Sequence, residues 1–191
     1  MSKLLIECVN LSKSFYNNHV IKDLNISIIE GTTYILKGEN GSGKSTFIKL
    51  LIDLYKPTKG IIDRHYKDLR YVPELLNIKS DIIVVDYLKN VISLKGLKRD
   101  LELEKYLEIE LFKPLKHLSK GNQKKVLLYL ALVGNPDLLC LDEPLDGLDV
   151  EMQKKVIDYL LNFNKTYIIS THTVRKFSKF LPKEVITFEV D

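Results

Sequence analysis

The sequence carries only two cysteines, Cys8 and Cys140, far apart and each inside an apolar run. Two distant thiols of that kind exclude a disulfide framework and a thiolate metal cluster. They fit small buried side chains in a reducing compartment. No apolar run approaches the ~18 residues that span a bilayer. The N-terminal stretch, residues 1–7, carries an acid too early for a secretory leader, and no small-residue cleavage site follows it. The expected location is the cytoplasm, unless a partner holds the chain at a membrane. Charge of one sign is nearly balanced out as well: 29 Lys and Arg against 25 Asp and Glu leave +4. The basic residues are scattered, without the concentrated face of a nucleic-acid binder. No nucleic-acid partner is expected. The densest group, Lys113, Lys116, Lys120, Lys124 and Lys125, reads as a solvated face. Internal repeats and low-complexity segments are absent. What remains is a globular composition, 45% apolar and 28% charged, in 191 residues, enough for one domain with a small insertion.

The most informative stretch present is Gly38-Glu39-Asn40-Gly41-Ser42-Gly43-Lys44-Ser45-Thr46. It follows the apolar run Tyr34-Ile35-Leu36 and precedes Phe47, Leu50, Leu51 and Leu54, spaced as one helix face. Strand, glycine-rich turn and helix make the context in which this spacing means a phosphate-binding loop. Glycines let the backbone curl until successive N–H groups point at an anion, and the helix behind adds its positive end. On this reading residues 40–46 bind the nucleotide phosphates. Lys44 reaches the β- and γ-phosphates, and Ser45 holds magnesium.

Around the loop the pattern is that of an α/β domain. Residues 3–9 and 24–29 read as short strands joined by a polar turn at Asn17-Asn18. Just before the turn stand Phe15 and Tyr16. Phe15, or Tyr16 beside it, is a candidate to stack on a nucleotide base. The helix behind the loop is expected to end near Tyr55. Residues 61–62 and 70–72 look like further strands, the second stopped by Pro73. From Leu75 to Lys116 the character turns helical. Val84, Tyr87, Leu88 and Val91 make one face, and Leu103, Tyr106 and Leu107 a second, with Glu102, Glu104 and Glu108 on its wet side. Ser119 is placed to cap a third helix with Val126, Tyr129, Leu130 and Val133 on its apolar face. Leu138-Leu139-Cys140-Leu141 and Tyr167-Ile168-Ile169 lack polar alternation, as central parallel strands do. Between them Val156, Tyr159, Leu160 and Phe163 mark one more helix face. A short helix and a strand over 185–188 close the chain.

Two further features carry chemistry. Asp142 and Glu143 end an apolar strand, the place beside the phosphate loop where open α/β sheets bind ligands. Asp142 is a magnesium ligand there, and Glu143 can orient and polarise the attacking water. The turn Leu118-Ser119-Lys120-Gly121-Asn122-Gln123 offers a hydroxyl and exposed N–H groups at a helix N-terminus, a second anion site.

These motifs, in this order, resemble the ATP-binding subunits of ABC transporters, nearly end to end. Residues 38–46 match the family's Walker A. Residues 118–123 are similar to its signature, in a variant with Lys120 in place of the first glycine. Residues 138–143 match Walker B with the catalytic glutamate, Leu148-Asp149 the D-loop, and His172 the switch histidine. Phe15 stands where the family places its adenine-stacking aromatic. The resemblance implies a P-loop core with a mostly parallel sheet, a small N-terminal antiparallel β subdomain and an inserted helical subdomain. Its division is about 1–74 and 119–191 for the catalytic core and 75–118 for the helical part. It implies ATP and Mg2+ as cofactors, with Ser45, Glu74 and Asp142 on the metal and Lys44, Glu143 and His172 as the catalytic set. It also implies a head-to-tail dimer, with this chain or a related one, in which Ser119, Gly121, Asn122 and Asp149 meet the partner chain's ATP. The function implied is an ATPase that powers transport through a separate transmembrane permease, expected to be an exporter, held on the cytoplasmic face by that permease. The alternative is a soluble ATPase of the same type acting on ribosomes or nucleic acid. Two departures stand out. Glu74 occupies the place of a glutamine, adding a charge near three phosphates while still offering an oxygen ligand. The helical segment, where the family's membrane subunits dock, is short.

Overall fold

The structure is a computed structural model and describes residues 3–16, 18–74 and 79–189. Strands β1 (Leu4–Phe15) and β2 (Asn18–Ile29) form a long antiparallel pair. Each has 12 residues, well beyond the expected 3–9 and 24–29. Register shifts at Cys8/Leu11, Leu11/Lys13 and Lys13/Ser14 explain the shortfall. Each irregularity breaks the two-residue alternation by which a strand is recognised. Asn17 of the expected turn lies outside the described residues, and Asn18 already belongs to β2. Strand β4 (Lys59–Arg64) pairs with the far side of β1, giving a three-stranded antiparallel sheet in the order β2-β1-β4.

The second sheet is wholly parallel. It contains β3 (Thr33–Lys37), β5 (Leu69–Val72), β6 (Leu138–Asp142), β7 (Thr166–Ser170) and β8 (Lys183–Thr187), in the order β5-β6-β7-β3-β8. The middles of its central strands are apolar because each serves two cores. Ile35, Leu139, Leu141, Tyr167 and Ile169 face one cluster, while Tyr34, Leu36, Leu138, Cys140 and Ile168 face the other. The first cluster takes in α2 (Val84–Leu94), α4 (Lys120–Leu132) and α5 (Val150–Phe163). The second takes in α1 (Lys44–Leu51) and the antiparallel sheet. Each such buried side chain contributes about 1.5–3 kcal/mol against exposure. Burial also pushes the Cys8 thiol up to about 12 and the Cys140 thiol higher still, so both behave as apolar groups.

Helix α1 stops at Leu51, short of the expected Tyr55. Arg64 of β4 closes it by donating from Nε to Leu51 O at 2.9 Å and from Nη2 to Leu50 O at 2.7 Å. Asp53 then turns left-handed at φ 64°. Between β5 and α4 lie α2, α3 (Leu101–Tyr106) and a 3-10 turn, Leu115–His117. Residues 75–78, where the sequence reading begins the helical insertion, are outside the described set. Glu104 is not on the wet side of α3. It is buried, gripped by Arg99 at 2.7 and 2.5 Å, and accepts the Tyr129 hydroxyl at 2.9 Å. Tyr106, expected on the apolar face, is exposed and donates to Lys155 O. With only six residues, α3 has no room for a full apolar stripe, so one acid is buried behind its own arginine.

Candidate functional site

The glycine-rich loop leaves β3 and curls into α1. Gly43 has φ 104°, and a Cβ there would lie 2.8 Å from Val20 Cγ1, so the position needs glycine on both counts. Lys44 is buried to 7% exposure. Its ammonium points back along the loop, donating to Gly38 O and Glu39 O, each at 2.8 Å. The Ser42 hydroxyl is buried with no hydrogen-bond partner among the described residues. A buried unpaired hydroxyl costs about 1–3 kcal/mol. With the open N–H groups at the start of α1, it suits an anion.

Facing the loop is an acidic corner built from adjacent strand ends. Asp142, 2% exposed, pairs across the sheet with Ser170 and accepts its hydroxyl. Glu143 follows in a left-handed conformation, φ 42°, which turns its side chain out of the strand direction. Its N–H donates to Ser170 O at 3.1 Å. Its carboxylate accepts the His172 backbone N–H at 3.0 Å and lies 3.2 Å from His172 Nδ1. Burial pushes the Glu143 carboxyl up, and the bonds from His172 oppose it. Burial and the neighbouring Asp142 also push the Tyr71 hydroxyl up.

A cavity of about 450 Å³ joins the two halves. Its wall includes Asn40, Gly41, Gly43, Lys44, Ser45 and Thr46 on one side and Glu74, Asp142, Glu143 and His172 on the other. The whole catalytic set and the whole metal set read from the sequence are thus in one place, with Ser42 buried in the loop. A hydroxyl and two carboxylates are hard oxygen ligands of the kind Mg2+ takes. The ammonium and the unpaired Ser42 hydroxyl suit a phosphate chain.

Other expected residues are not in that wall. Ser119 caps α4, its Oγ accepting the Asn122 N–H at 3.2 Å. Asp149 caps α5, accepting the Met152 N–H at 2.9 Å, and those backbone donors hold its carboxyl below the usual range. A Cβ on Gly121 would lie 2.3 Å from Gly147 O, so the N-terminus of α4 is in close contact with the turn before α5. Ser119, exposed, and the half-buried Gly121 and Asn122 therefore form a separate patch beside that turn. Phe15 is also away from the cavity wall. Its ring meets Tyr55 edge-on at 5.4 Å, with the Lys13 ammonium 4.8 Å from the ring centre. Tyr16 is fully exposed, at φ 51°.

Three residues of the site escaped the sequence reading. Ser170 and Asp146 both line the cavity, and Asp146 offers an oxygen within 4.8 Å of ligand atoms of Glu143 and His172. Lys124 does not lie on a solvated face. It is 4% exposed, and Nζ donates to Pro73 O, Glu74 O, Glu143 O and Asp142 O at 2.9, 2.9, 3.1 and 3.4 Å. Burial lowers its pKa, against the pull of Asp146, Asp142, Glu74 and Glu143. The available signal was helical spacing: Lys124 precedes the buried Leu128 and Ala131 by four and seven positions.

A family model described as ABC transporter matches residues 21–146. An uncharacterized ABC transporter ATP-binding protein of Methanocaldococcus jannaschii is 33% identical, over 95% of this chain and 73% of that one. The zinc import ATP-binding protein ZnuC of Rickettsia bellii is 37% identical, over 81% of this chain and 69% of that one. A solved ATP-binding subunit of an ABC transporter superposes with TM-score 0.87 at 25% identity, over 97% of this chain and 88% of that one. The chain belongs to the ABC transporter family, as one of its ATP-binding, ATP-hydrolysing subunits.

Proposed function

We propose that this subunit powers transport through a separate membrane-spanning partner, by closing on a second ATP-binding chain around ATP. The observation that carries the reading is the split of the site. The loop and the acids share one cavity, while the exposed Ser119 and the half-buried Gly121 and Asn122 lie outside its wall. In this reading residues 40–46 bind the phosphates and Lys44 draws charge from the β- and γ-phosphates. Ser45, Glu74 and Asp142 hold Mg2+, which when bound neutralises phosphate charge. Glu143 orients the attacking water and accepts its proton, and His172 holds Glu143 and the γ-phosphate in register. Ser119, Gly121, Asn122 and Asp149 meet the nucleotide of the partner chain. Phe15 or the more exposed Tyr16 stacks on the base. The segment 79–118 presents a docking face to the membrane partner, with Ile82, Leu94 and Phe112 exposed. No helix among the described residues is long and apolar enough to cross a membrane. The partner holds the subunit on the cytoplasmic face. The relative named for zinc import favours an importer over the exporter expected from the sequence.

The test is the Glu143→Gln variant. It is expected to bind ATP, to stop turnover and to accumulate as a dimer on gel filtration with ATP. Turnover at the parental rate would remove Glu143 from its role.

A further inference from the structure

Burying an ammonium group is costly unless its donors are met. Lys124 has three donors and spends them on backbone. The short contacts are to Pro73 O, Glu74 O and Glu143 O, with Asp142 O a longer fourth. The side chains of Glu74, Asp142 and Glu143 are left to the cavity, while their backbones are held from behind.

The place is where sheet pairing runs out. The ladder between β5 and β6 ends at the pair Val72 and Leu141. Next along the chain, past the end of β5, is Pro73, which has no N–H to continue the ladder. Just past that point carbonyls from both strands converge on Lys124. The lysine itself belongs to α4, one turn beyond the Ser119 cap. That end of the helix is held a second time where Gly121 meets Gly147. A smaller cavity of about 250 Å³ adjoins this junction, and Glu74 and Asp146 line both cavities.

We propose that Lys124 is a positioning residue for hydrolysis. It ties the strand ends that carry Glu74, Asp142 and Glu143 to the helix whose N-terminus carries Ser119. The acids serve the chain's own nucleotide, and Ser119 serves the partner's. Lys124 thus keeps the two half-sites of one chain in a single register. The inference rests on the roles given under the proposed function and deepens them.

Turnover and binding of a fluorescent ATP analogue by purified Lys124→Met and Lys124→Gln chains test it. Lys124→Met is expected to keep nucleotide affinity within about threefold and to lose about tenfold or more in kcat, since small misplacements are costly in rate. Lys124→Gln, which keeps two donors, should recover part of that loss. Parental kcat in Lys124→Met overturns the proposal. So does a parallel loss of affinity and kcat, equal in Met and Gln, which is the mark of a packing role. If Lys124→Met does not fold, Lys124→Gln decides: lowered kcat at retained affinity supports the proposal, and parental kcat overturns it. Glu143→Gln is measured alongside. Its turnover at the parental rate would defeat the reading of the site. Parental turnover by the Lys124 variants beside an inactive Glu143→Gln would defeat this inference alone.

Discussion

His172 grips both carboxylate oxygens of Glu143, with Nδ1 3.2 Å from Oε2 and its backbone N–H 3.0 Å from Oε1. The contact sets how the proposed base titrates. Burial raises the Glu143 pKa above the ordinary 4.5, and both His172 bonds lower it. Glu143 must be ionised to accept a proton, so activity falls as pH drops through its raised value. His172→Ala removes the imidazole bond and leaves the backbone one. The acid limb of kcat/KM is expected to move to higher pH, in a profile measured beside the parent. An unmoved limb would dissociate His172 from the titration of the base.

The same shift makes a statement about stability. A carboxyl whose pKa is raised on folding favours the fold below its unfolded value, and that contribution is lost as pH rises through the folded value. At neutral pH the ionised Glu143 is therefore a liability. Glu143→Gln is expected to melt above the parent at pH 7, with the gap closing as pH approaches 4.5. Thermal melts at the two pH values decide it.

Gly43→Ala is expected to abolish ATP binding. The left-handed backbone costs about 1–2 kcal/mol for an L side chain. The new Cβ would also meet Val20 Cγ1 at 2.8 Å, so the loop must open. Nucleotide titration is the measurement, and an affinity within threefold of the parent would remove the loop from phosphate binding.

Gly121→Ala should separate the two half-sites. The added Cβ would lie 2.3 Å from Gly147 O and pushes the start of α4 off the neighbouring turn. Nucleotide affinity at the loop is expected to stay near parental. Turnover is expected to fall by about 10²-fold, the scale of a misplacement of about 1 Å. Equal losses in both would mean that the patch does not serve a second chain's nucleotide.

Glu104→Ala is expected to destabilise the chain by about 3–5 kcal/mol, because it strands the Arg99 guanidinium in a partly buried site and takes the acceptor from the Tyr129 hydroxyl, which then keeps only the Asp100 N–H. Glu102→Ala, exposed on the same helix, should stay within about 0.5 kcal/mol. Urea unfolding of the two variants measures the contrast.

The contrast between Glu102 and Glu104 also marks where reading a sequence stops. The phosphate loop, the Ser119 cap, the paired acids after β6 and His172 were legible because their chemistry lies in contiguous residues. A glycine spacing, a helix start or a strand end can be recognised from within a few positions. The parallel strands were legible too, since a strand that feeds two cores has no polar face to hide. The long β1–β2 ribbon was only half legible, because its register shifts erase the alternation that announces a strand.

By itself the sequence determined the fold class, the glycine-rich loop between a strand and a helix, and the acids at the end of a buried strand. The tertiary structure alone decided that Lys124 and Glu104 are buried, that Asp146 and Ser170 join the cavity wall, and that Phe15 packs on Tyr55. Burial of a charged group depends on carbonyls and side chains far along the chain. For Lys124 these come from residues 73, 74, 142 and 143, and helical spacing, which sets the lysine on the buried face of α4, does not show which groups meet it there.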